Sequence, residues 1–382
     1  MATKKSSGRP AGKRMTKAER KRRKQRKIAI LAIEAVAVVV LIAALYFVSK
    51  LDYIHKDDIS DEDIVTNQNE EEELLVGEGD ITINKDINSD MEGYRNIALF
   101  GVDARNNNLG KGVRSDTIII ASINESTKEV KLVSIYRDTY LNLGTDRYAK
   151  ANEAYAKGGP KQAINMINMN TDLNITDYVT VGWAAVADTV DALGGIAIDV
   201  DEEELKHLNN YQVETSQSLG RNFTKLTETG MVTLDGIQAV SYCRIRYTKG
   251  DDFKRAERQR EVIQALADKA KKASPEKLDK IANKVFPQTA TSLKLTEILD
   301  LLKDIGSYEI ADNSGFPTAE YRTTAVLGGS LGDCVIPTDL EANVEILHEF
   351  LFGDSDYVPS DSVKEYSEKI VSDTGKRRPD AE

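Results

Sequence analysis

Residues 96–138 read NIALFGVDARNNNLGKGVRSDTIIIASINESTKEVKLVSIYRD, and the predicted fold is built around this stretch. The apolar runs within it, residues 97–102, 117–123 and 130–135, are predicted to be strands. Each run adjoins a loop that carries acidic residues and arginines. Because α/β proteins commonly bind anionic ligands where strand ends bring polar groups to one sheet edge, this pattern predicts a site for an anionic ligand.

Strand-like and helix-like segments continue to alternate beyond this stretch. Residues 177–183, 184–193 and 196–200 have the pattern strand, helix, strand, which predicts a βαβ unit. Amphipathic helices are predicted at residues 295–305 and 340–352. We therefore predict an α/β domain of three layers, in which helices flank a central mixed sheet.

The charge of the chain is unevenly distributed. The whole chain has 382 residues and a net charge of -11. Residues 1–27 hold 13 basic residues and one acidic residue, whereas the remainder holds 38 basic and 61 acidic residues. An acidic body with a short basic tail is not typical of a nucleic-acid-binding protein, so we expect no nucleic-acid partner.

Residues 28–48, IAILAIEAVAVVVLIAALYFV, follow the basic tail and are apolar except for Glu34. At ~1.5 Å per residue, this run is long enough to cross the roughly 30 Å hydrocarbon core of a bilayer. The α/β domain is thus predicted to be preceded by one transmembrane helix. Because positive flanks stay in the cytoplasm, the predicted location is a single-pass protein of the cell membrane, with a cytoplasmic N-terminus and an extracellular body.

The apolar run and the basic tail have other interpretations. The run could be a buried core helix or a cleaved signal peptide, although it exceeds the ~7–15 apolar residues of such peptides. The tail could be a nucleic-acid or nuclear-targeting arm, but contact with anionic membrane lipid and control of topology explain it more simply.

Composition divides the chain into five segments. Residues 57–79 are acidic and poor in aromatic residues, which is typical of a solvated linker. The end of the chain loses its apolar periodicity. The predicted segments are a basic cytoplasmic tail (1–27), a transmembrane helix (28–48), an acidic extracellular stalk (49–80), the folded extracellular domain (81–352) and a loose C-terminal tail (353–382).

The chain contains two cysteines, Cys243 and Cys334. Neither lies in a C-x-x-C motif, and with only three histidines no zinc site can be assembled from the spacing. A disulfide between the two cysteines and a pair of free thiols both remain open.

Asp103 and Asp116 end one predicted strand and begin the next, so antiparallel pairing would bring their carboxylates together. Two carboxylates at one edge bind a hard cation such as Mg²⁺, or else raise each other's pKa. Loop aspartates also make turn and cap hydrogen bonds, and this alternative stays open.

Arginines cluster at predicted strand ends and loop-to-helix transitions. Guanidinium groups match phosphate oxygens in bidentate fashion, so a group of them suits a pyrophosphate. In an acidic domain, a surface salt bridge is the alternative for any single arginine, and this alternative stays open. The cluster comprises Arg105, Arg114, Arg137, Arg244, Arg246, Arg255 and Arg258.

The sequence has no Walker loop, the common phosphate-binding motif of nucleotide-binding proteins. Ser115 has no histidine near it in the sequence that could serve as its partner in covalent catalysis. The residues therefore indicate a site that binds a pyrophosphate, stabilises a transferring phosphoryl group and activates an incoming hydroxyl.

Longer motifs resemble the LytR-CpsA-Psr family, the cell-wall ligases of mainly Gram-positive bacteria. They occur in the family's order and span most of residues 95–270. The matching pieces are GVDAR (101–105), RSDTIIIASIN (114–124), KLVSIYRDTY (131–140), KANEAYAKGGPKQAI (150–164), DYVTVGW (177–183), VDALGGIAIDV (190–200) and LDGIQAVSYCRIRYTKGDDFKRAERQREVI (234–263).

The resemblance implies a membrane-anchored phosphotransferase. Such an enzyme moves a glycopolymer from a polyprenyl-pyrophosphate carrier to peptidoglycan, typically through a phosphodiester to a muramic acid hydroxyl. The apolar helices would enclose the prenyl chain in an elongated pocket.

The resemblance also implies roles for individual residues. Asp103 and Asp116 would hold Mg²⁺ at the pyrophosphate. Arg137, Asp138 and Asp252 would be catalytic, and one of the two aspartates would orient or deprotonate the incoming hydroxyl. The residues implied to grip the pyrophosphate are Arg105, Arg114, Arg137, Arg244, Arg246, Arg255, Arg258 and Gln259.

Some positions depart from the family pattern. Tyr136 stands where a proline commonly precedes the Arg-Asp pair, Trp183 where phenylalanine is more common, and Cys243 where an aliphatic residue is common. These departures imply a change in pocket shape rather than in the charged set.

Other functions are compatible with the same residues. One alternative is a membrane-anchored regulator or sensor of the cell envelope, which the family's older naming suggests. Another is a polyprenyl-pyrophosphate phosphatase that uses water as the acceptor.

Overall fold

The computed structural model describes residues 55–56, 64–67, 81–84, 87, 91–104, 108–144 and 146–378. The predicted basic tail and transmembrane segment lie outside these residues. Within these ranges, no helix is long and apolar enough to span a bilayer.

The strands are short except at the centre of the fold. In chain order they are β1 (His55–Lys56), β2 (Ile64–Asn67), β3 (Ile81–Asn84), β4 (Tyr94–Val102), β5 (Ser115–Asn124), β6 (Glu129–Ile135), β7 (Tyr140–Asn142), β8 (Tyr148–Lys150), β9 (Asp177–Gly182), β10 (Ile196–Val200), β11 (Gly230–Leu234), β12 (Thr289–Thr291), β13 (Glu309–Phe316), β14 (Arg322–Leu327) and β15 (Gly332–Pro337).

The helices occupy the intervals between these strands. In chain order they are α1 (Asn152–Thr171), α2 (Trp183–Leu193), α3 (Glu202–Leu219), α4 (Gly236–Arg244), α5 (Asp251–Ala270), α6 (Pro275–Val285), α7 (Leu295–Lys303), α8 (Leu340–Phe352) and α9 (Asp361–Thr374).

The central sheet has seven strands in the order β1-β12-β9-β4-β5-β6-β13. β4 pairs antiparallel with β5 and parallel with β9, and β6 pairs antiparallel with β5 and parallel with β13. The sheet is therefore mixed, as predicted. The three strands predicted within residues 96–138 form β4, β5 and β6 at its centre.

Both faces of the sheet are covered by helices. Along β5, Ile118 and Ile120 belong to a core that includes Ile164 of α1 and Leu347 of α8. The intervening Ile119 faces the opposite side, in a cluster with Ile263 of α5. This alternation follows from the two-residue period of a strand. The described residues thus confirm the three-layer α/β class.

The prediction of a βαβ unit over residues 177–200 is wrong. The strand and helix are present as β9 and α2, but β10 pairs antiparallel with β11 in a separate two-stranded sheet. In β10, Ile196 and Ile198 are buried whereas Ala197 and Asp199 are exposed. This alternation is typical of a sheet with one solvated face, unlike the continuous burial of a central parallel strand.

The prediction of a loose tail over residues 353–382 is also wrong for the part that is described. The segment contains α9, which packs on α1 and α8. Val363 and Ile370 of α9 are fully buried in the main core, and Ser360 caps the helix by accepting a hydrogen bond from the backbone N–H of Val363. Because these buried positions are separated by polar ones, the low average hydrophobicity of the segment hid the helix.

Two short parts of the predicted stalk belong to the fold. β1 pairs in parallel with β12 at the edge of the central sheet, and β2 pairs in parallel with β3. The predicted boundary at residue 81 is therefore too late. The other residues of the predicted stalk lie outside the described part of the chain.

Candidate active site

A cavity of about 550 Å³ lies between the central sheet and helices α2 to α6. We call it the main cavity. Most of its lining is apolar and comes from the sheet, from α2 and α4, and from the later turns of α5. The aliphatic lining residues are Leu99, Ile119, Val179, Val181, Val186, Val240, Val262, Ile263, Leu266 and Val285.

Charged and polar residues line the main cavity where strands end and helices begin. They come from the end of β4, the start of β5, the end of α4 and the first turns of α5. They include Asp103, Asp116, Arg244, Arg246, Arg255 and Gln259. The main cavity therefore has an apolar part and a polar part that is rich in arginine.

A β-bulge brings Asp116 into the main cavity. Gly101 pairs with Thr117, but the next pair is Val102 with Ser115, which leaves Asp116 as the extra residue. A bulge re-aims side chains locally, and here both Asp116 and Thr117 line the cavity while Ser115 is buried. A Cβ at residue 101 would lie 2.8 Å from the Cβ of Thr117, so only glycine fits beside the bulge.

Arg137 lies among three carboxylates. Its Nη1 donates a hydrogen bond to Oδ1 of Asp116 at 2.6 Å. Its Nε lies 3.3 Å from Oδ2 of Asp138 and 3.5 Å from Oδ2 of Asp252. Burial would lower the pKa of Arg137, but the three carboxylates raise it, so the guanidinium remains charged. The structure thus brings together all three residues that were predicted to be catalytic.

Asp138 and Asp252 form an interacting carboxyl pair. Burial raises the pKa of Asp138; a hydrogen bond with Asp252 raises it further, whereas the charges of Arg137 and Lys150 lower it. Burial would also raise the pKa of Asp252, but Arg255, the hydrogen bond with Asp138 and Arg137 together lower it. When the pair holds one proton, that proton therefore resides on Asp138 and Asp252 is ionised.

Arg255 and Arg246 extend this charged cluster. Arg255 Nη1 lies 3.2 Å and Arg246 Nε 3.7 Å from Oδ1 of Asp252. Arg255 is 5 % exposed, and burial lowers its pKa to about 10, which still leaves it charged near neutral pH. Both guanidinium groups therefore pair with Asp252 at the polar part of the main cavity.

Arg244 is held on aromatic rings. Its guanidinium carbon lies 4.0 Å from the ring centre of Trp183 and 5.5 Å from that of Tyr211. It also donates to Oγ1 of Thr215 at 2.7 Å and pairs with Glu214 at 2.9 Å. The tryptophan that departs from the family pattern therefore orients an arginine as well as lining the cavity.

Arg258 does not line the main cavity, which corrects its predicted place in the pyrophosphate site. It is 1 % exposed, its Nε donates to Oε1 of Glu204 at 2.8 Å, and its Nη2 donates to Oγ1 of Thr248 at 2.8 Å. Helical geometry explains the difference. Residues 255, 259 and 262 share one face of α5 at helical spacing, whereas residue 258 lies on a neighbouring face that packs against α3.

We expect Arg258→Met to lower the free energy of unfolding by about 3–5 kcal/mol, because it leaves the buried carboxylate of Glu204 without its cation. Urea denaturation measures the change. In the double variant Arg258→Met/Glu204→Gln, the amide oxygen at position 204 can still accept the hydrogen bond from the backbone N–H of Asp201. This variant should therefore recover much of the lost free energy of unfolding. An unchanged free energy of unfolding in the single variant, or no recovery of that free energy in the double variant, would contradict this structural role of Arg258.

The remaining predicted arginines lie elsewhere. Arg105 lies outside the described residues. Arg114 lines a second, smaller cavity of about 170 Å³, together with Arg137 and Asp138. We call it the second cavity. Lys150, Asn152 and Glu153 also line it. These three were not predicted as site residues, although they lie in the family motif at residues 150–164.

Tyr136 does not line the main cavity. Its ring contacts Phe253 edge to face, with ring centres 4.6 Å apart, and the Arg322 guanidinium lies 3.8 Å from the centre of the Phe253 ring. The backbone N–H of Tyr136 donates to the carbonyl of Phe316 at 3.0 Å, a bond that proline could not make. This stack supports the segments that carry Arg137 and Asp252.

Asp103 and Asp116 fit a Mg²⁺ ion that binds together with a phosphate. Among the described residues, no group of three or more His, Cys, Asp or Glu side chains could hold a metal ion. Mg²⁺ is commonly bound by one or two carboxylates, with substrate phosphates and waters completing its shell. The two hard carboxylates at the arginine-rich end of the main cavity match that donor set.

Cys243 and Cys334 are both free thiols. Cys243 lines the main cavity, where burial raises its pKa to about 12. Cys334 is buried in β15. Of the two alternatives left open by the sequence, the structure therefore has the pair of free thiols.

A profile of the LytR_cpsA_psr family matches residues 49–318. The chain belongs to the LytR_cpsA_psr family. This confirms the resemblance that the motifs between residues 95 and 270 indicated, and it places β1 to β13 within the region shared by the family.

Several named proteins are similar to this chain. The chain is 35% identical over 175 residues to the polyisoprenyl-teichoic acid--peptidoglycan teichoic acid transferase TagU of Enterococcus faecalis, covering 45% of this chain and 52% of the relative. It thus spans about half the length of that curated relative. It is also 29% identical over 317 residues to biofilm regulatory protein A of Streptococcus mutans, covering 74% of this chain and 75% of the relative.

A solved structure has the same fold. The crystal structure of TagV from Bacillus subtilis superimposes with a TM-score of 0.54 at 28% sequence identity, covering 70% of this chain and 98% of TagV.

Proposed function

We propose that this protein transfers a glycopolymer from a polyprenyl-pyrophosphate carrier to peptidoglycan. The observation that carries the proposal is the main cavity, which is apolar along its length and lined by arginines where strands end. A prenyl chain gains free energy by leaving water for an apolar lining, and a pyrophosphate matches guanidinium groups. The names of the relatives from Enterococcus faecalis and Bacillus subtilis support a teichoic acid as the kind of polymer.

The charged residues suit a phosphoryl transfer in which one phosphorus–oxygen bond replaces another. In the proposal, Arg244, Arg246 and Arg255 bind the pyrophosphate oxygens, with Gln259 beside them. Arg137 stabilises the negative charge that develops on the transferring phosphoryl group. Arg105 stays a predicted member of this group.

Asp138 is proposed as the general base that accepts the proton of the incoming hydroxyl. Its raised pKa brings it nearer to the value that suits proton transfer at neutral pH than an ordinary aspartate. Asp252, which stays ionised, orients Asp138 and pairs with Arg137 and Arg255.

Mg²⁺ is the proposed cofactor, with Asp103 and Asp116 as its protein ligands. When bound, the ion would neutralise part of the pyrophosphate charge. Asp116 also fixes Arg137 through the 2.6 Å hydrogen bond, so the metal site and the phosphoryl-binding arginine share one carboxylate.

Membrane anchoring is part of the proposal. Residues 28–48 are proposed to cross the cell membrane once, with residues 1–27 in the cytoplasm next to anionic lipid and the folded domain outside. This topology would place the folded domain on the side of the membrane where peptidoglycan lies.

A transfer assay tests the proposal. The full chain in detergent is incubated with a lipid-linked teichoic acid precursor, uncrosslinked peptidoglycan and Mg²⁺, and the polymer joined to the glycan is measured. We expect covalent attachment that depends on all four components. Release of free phosphate without attachment would favour a phosphatase, and no reaction with the lipid at all would favour a regulator.

A further inference from the structure

The second cavity is separate from the main cavity, which is proposed to hold the prenyl pyrophosphate, and its walls are polar. Its eight lining residues include three cations, Arg114, Arg137 and Lys150, and two acids, Asp138 and Glu153. Such a mixed set of donors and acceptors does not select a highly charged anion. It suits a ligand with many hydroxyl and amide groups.

One buried side chain of this cavity lacks a partner for its amide oxygen. Asn152 is 4 % exposed and lines the cavity, and its Oδ1, which is shielded from solvent, accepts no hydrogen bond from any described residue. A buried acceptor without a donor costs about 1–3 kcal/mol, so turning this amide toward a ligand in the cavity would gain a hydrogen bond. Asn152 is also fixed in place, because its backbone N–H donates to the carbonyl of Arg137 at 2.9 Å.

Arg137 connects the second cavity to the main cavity. It lines the second cavity and hydrogen-bonds to Asp116, which lines the main cavity. Asp138, the proposed general base, lines the second cavity as well, and Lys150 Nζ lies 3.4 Å from its Oδ1. An acceptor hydroxyl in the second cavity would therefore lie beside the proposed base, while the carrier occupies a separate cavity. In-line displacement needs such separate places for the attacking and the leaving oxygen.

We propose that the second cavity is the acceptor subsite, which binds the hydroxyl-bearing sugar of a peptidoglycan glycan strand. This rests on the transferase function proposed above. The sugar hydroxyl oxygen forms a bond to the phosphorus that bears the glycopolymer, and the bond from that phosphorus to the bridging oxygen breaks. The hydroxyl proton passes to the ionised Asp138 carboxylate, and polyprenyl monophosphate leaves with the bridging oxygen. Asn152, Glu153 and Lys150 hold the sugar.

Two conservative variants test this assignment in the full chain. Asn152→Leu keeps the side-chain volume but removes its polar groups, and Glu153→Gln removes one acidic acceptor. We expect each to raise the KM for an uncrosslinked peptidoglycan oligosaccharide by about tenfold or more, since each removes a hydrogen-bonding partner of the sugar. The KM for the lipid-linked donor should stay within about twofold. Glu125→Gln, in the exposed β5–β6 turn, is the matched control.

The outcomes separate the possibilities. Unchanged acceptor KM in folded variants would overturn the assignment, and a parallel rise in donor KM would show that the cavity serves the donor glycan instead. If Asn152→Leu does not fold, Glu153→Gln decides. Binding of the same oligosaccharide is measured by titration without any donor. The wild-type protein could bind the oligosaccharide without transferring any polymer. If Asn152→Leu then abolished that binding, the transferase proposal would be refuted and the saccharide site would stand. Normal transfer with unaltered binding in both variants would refute the site alone.

Discussion

The double variant Asp103→Ala/Asp116→Ala is expected to lose transfer activity by at least about 10³-fold. Removing a single preorganised group that stabilises transition-state charge commonly costs about 10²–10³ in kcat. Here one variant removes both proposed ligands of Mg²⁺ and the carboxylate that holds Arg137 at 2.6 Å. The fold should persist, because both carboxylates line a cavity rather than the core.

The measurement is the rate of polymer attachment as a function of Mg²⁺ concentration, with the thermal midpoint as the check on folding. Asp300→Ala/Asp356→Ala removes two exposed aspartates and is the matched control. Asp116→Asn keeps the shape of the side chain and separates loss of charge from loss of volume. Wild-type activity in the double variant, at any Mg²⁺ concentration, would refute the metal assignment.

Asp138→Asn is expected to lower kcat by about 10²–10⁴-fold, the usual contribution of general acid–base catalysis. The reaction needs ionised Asp138, so in the wild type activity should fall as the pH drops through the pKa of this group. Burial and Asp252 raise that pKa against the lowering effect of Arg137 and Lys150. The acidic limb should therefore lie above the ~3.9 of an ordinary aspartate, and it should be absent in Asp138→Asn.

Asp252→Asn gives a sharper test of the same pair. It removes the negative charge and the ionised hydrogen-bond partner that raise the pKa of Asp138, while Arg137, Arg246 and Arg255 lose a counter-charge. Both effects favour ionised Asp138, so the acidic limb of the kcat profile should move to lower pH. A limb that stays in place, or that moves to higher pH, would show that Asp138 is not the titrating base.

The centre of the fold could be predicted from the sequence because its signals are local. β4, β5 and β6 are continuous apolar runs, and the β5–β6 hairpin is closed by Asn124, whose side chain accepts bonds from the N–H groups of Ser126 and Thr127. The partner of β10 could not be predicted in the same way. It depends on pairing with β11, 30 or more residues away in sequence, and the strand–helix–strand rhythm alone favoured the wrong partner.

The residues of the candidate site also differ in how far the sequence could predict their positions. Asp116, Arg137 and Asp138 could be predicted because they flank apolar strands, and the ends of paired strands meet at one sheet edge. The place of Arg258 could not be predicted, because the family resemblance implied a role without showing where the side chain points. The helical period of α5 places it on a different face from Arg255 and Gln259.

The second cavity could not be predicted, because it forms where residues 150–153 fold back onto residues 137–139. The backbone N–H groups of Ala151 and Asn152 bond to the carbonyls of Thr139 and Arg137, and these bonds bring Lys150 and Glu153 to Asp138. No local pattern encodes this contact. The family motif at residues 150–164 marked the segment without indicating what it faces.

The main cavity is proposed to bind both the prenyl chain and the pyrophosphate of the carrier. The most direct test measures Kd for inorganic pyrophosphate and for isopentenyl, geranyl and farnesyl pyrophosphates on the same full-length protein with Mg²⁺. Burial of each added isoprenyl unit in the main cavity should lower Kd by about tenfold or more, since each buried CH₂ contributes about 0.8 kcal/mol. Equal affinity for inorganic and farnesyl pyrophosphate would contradict the claim.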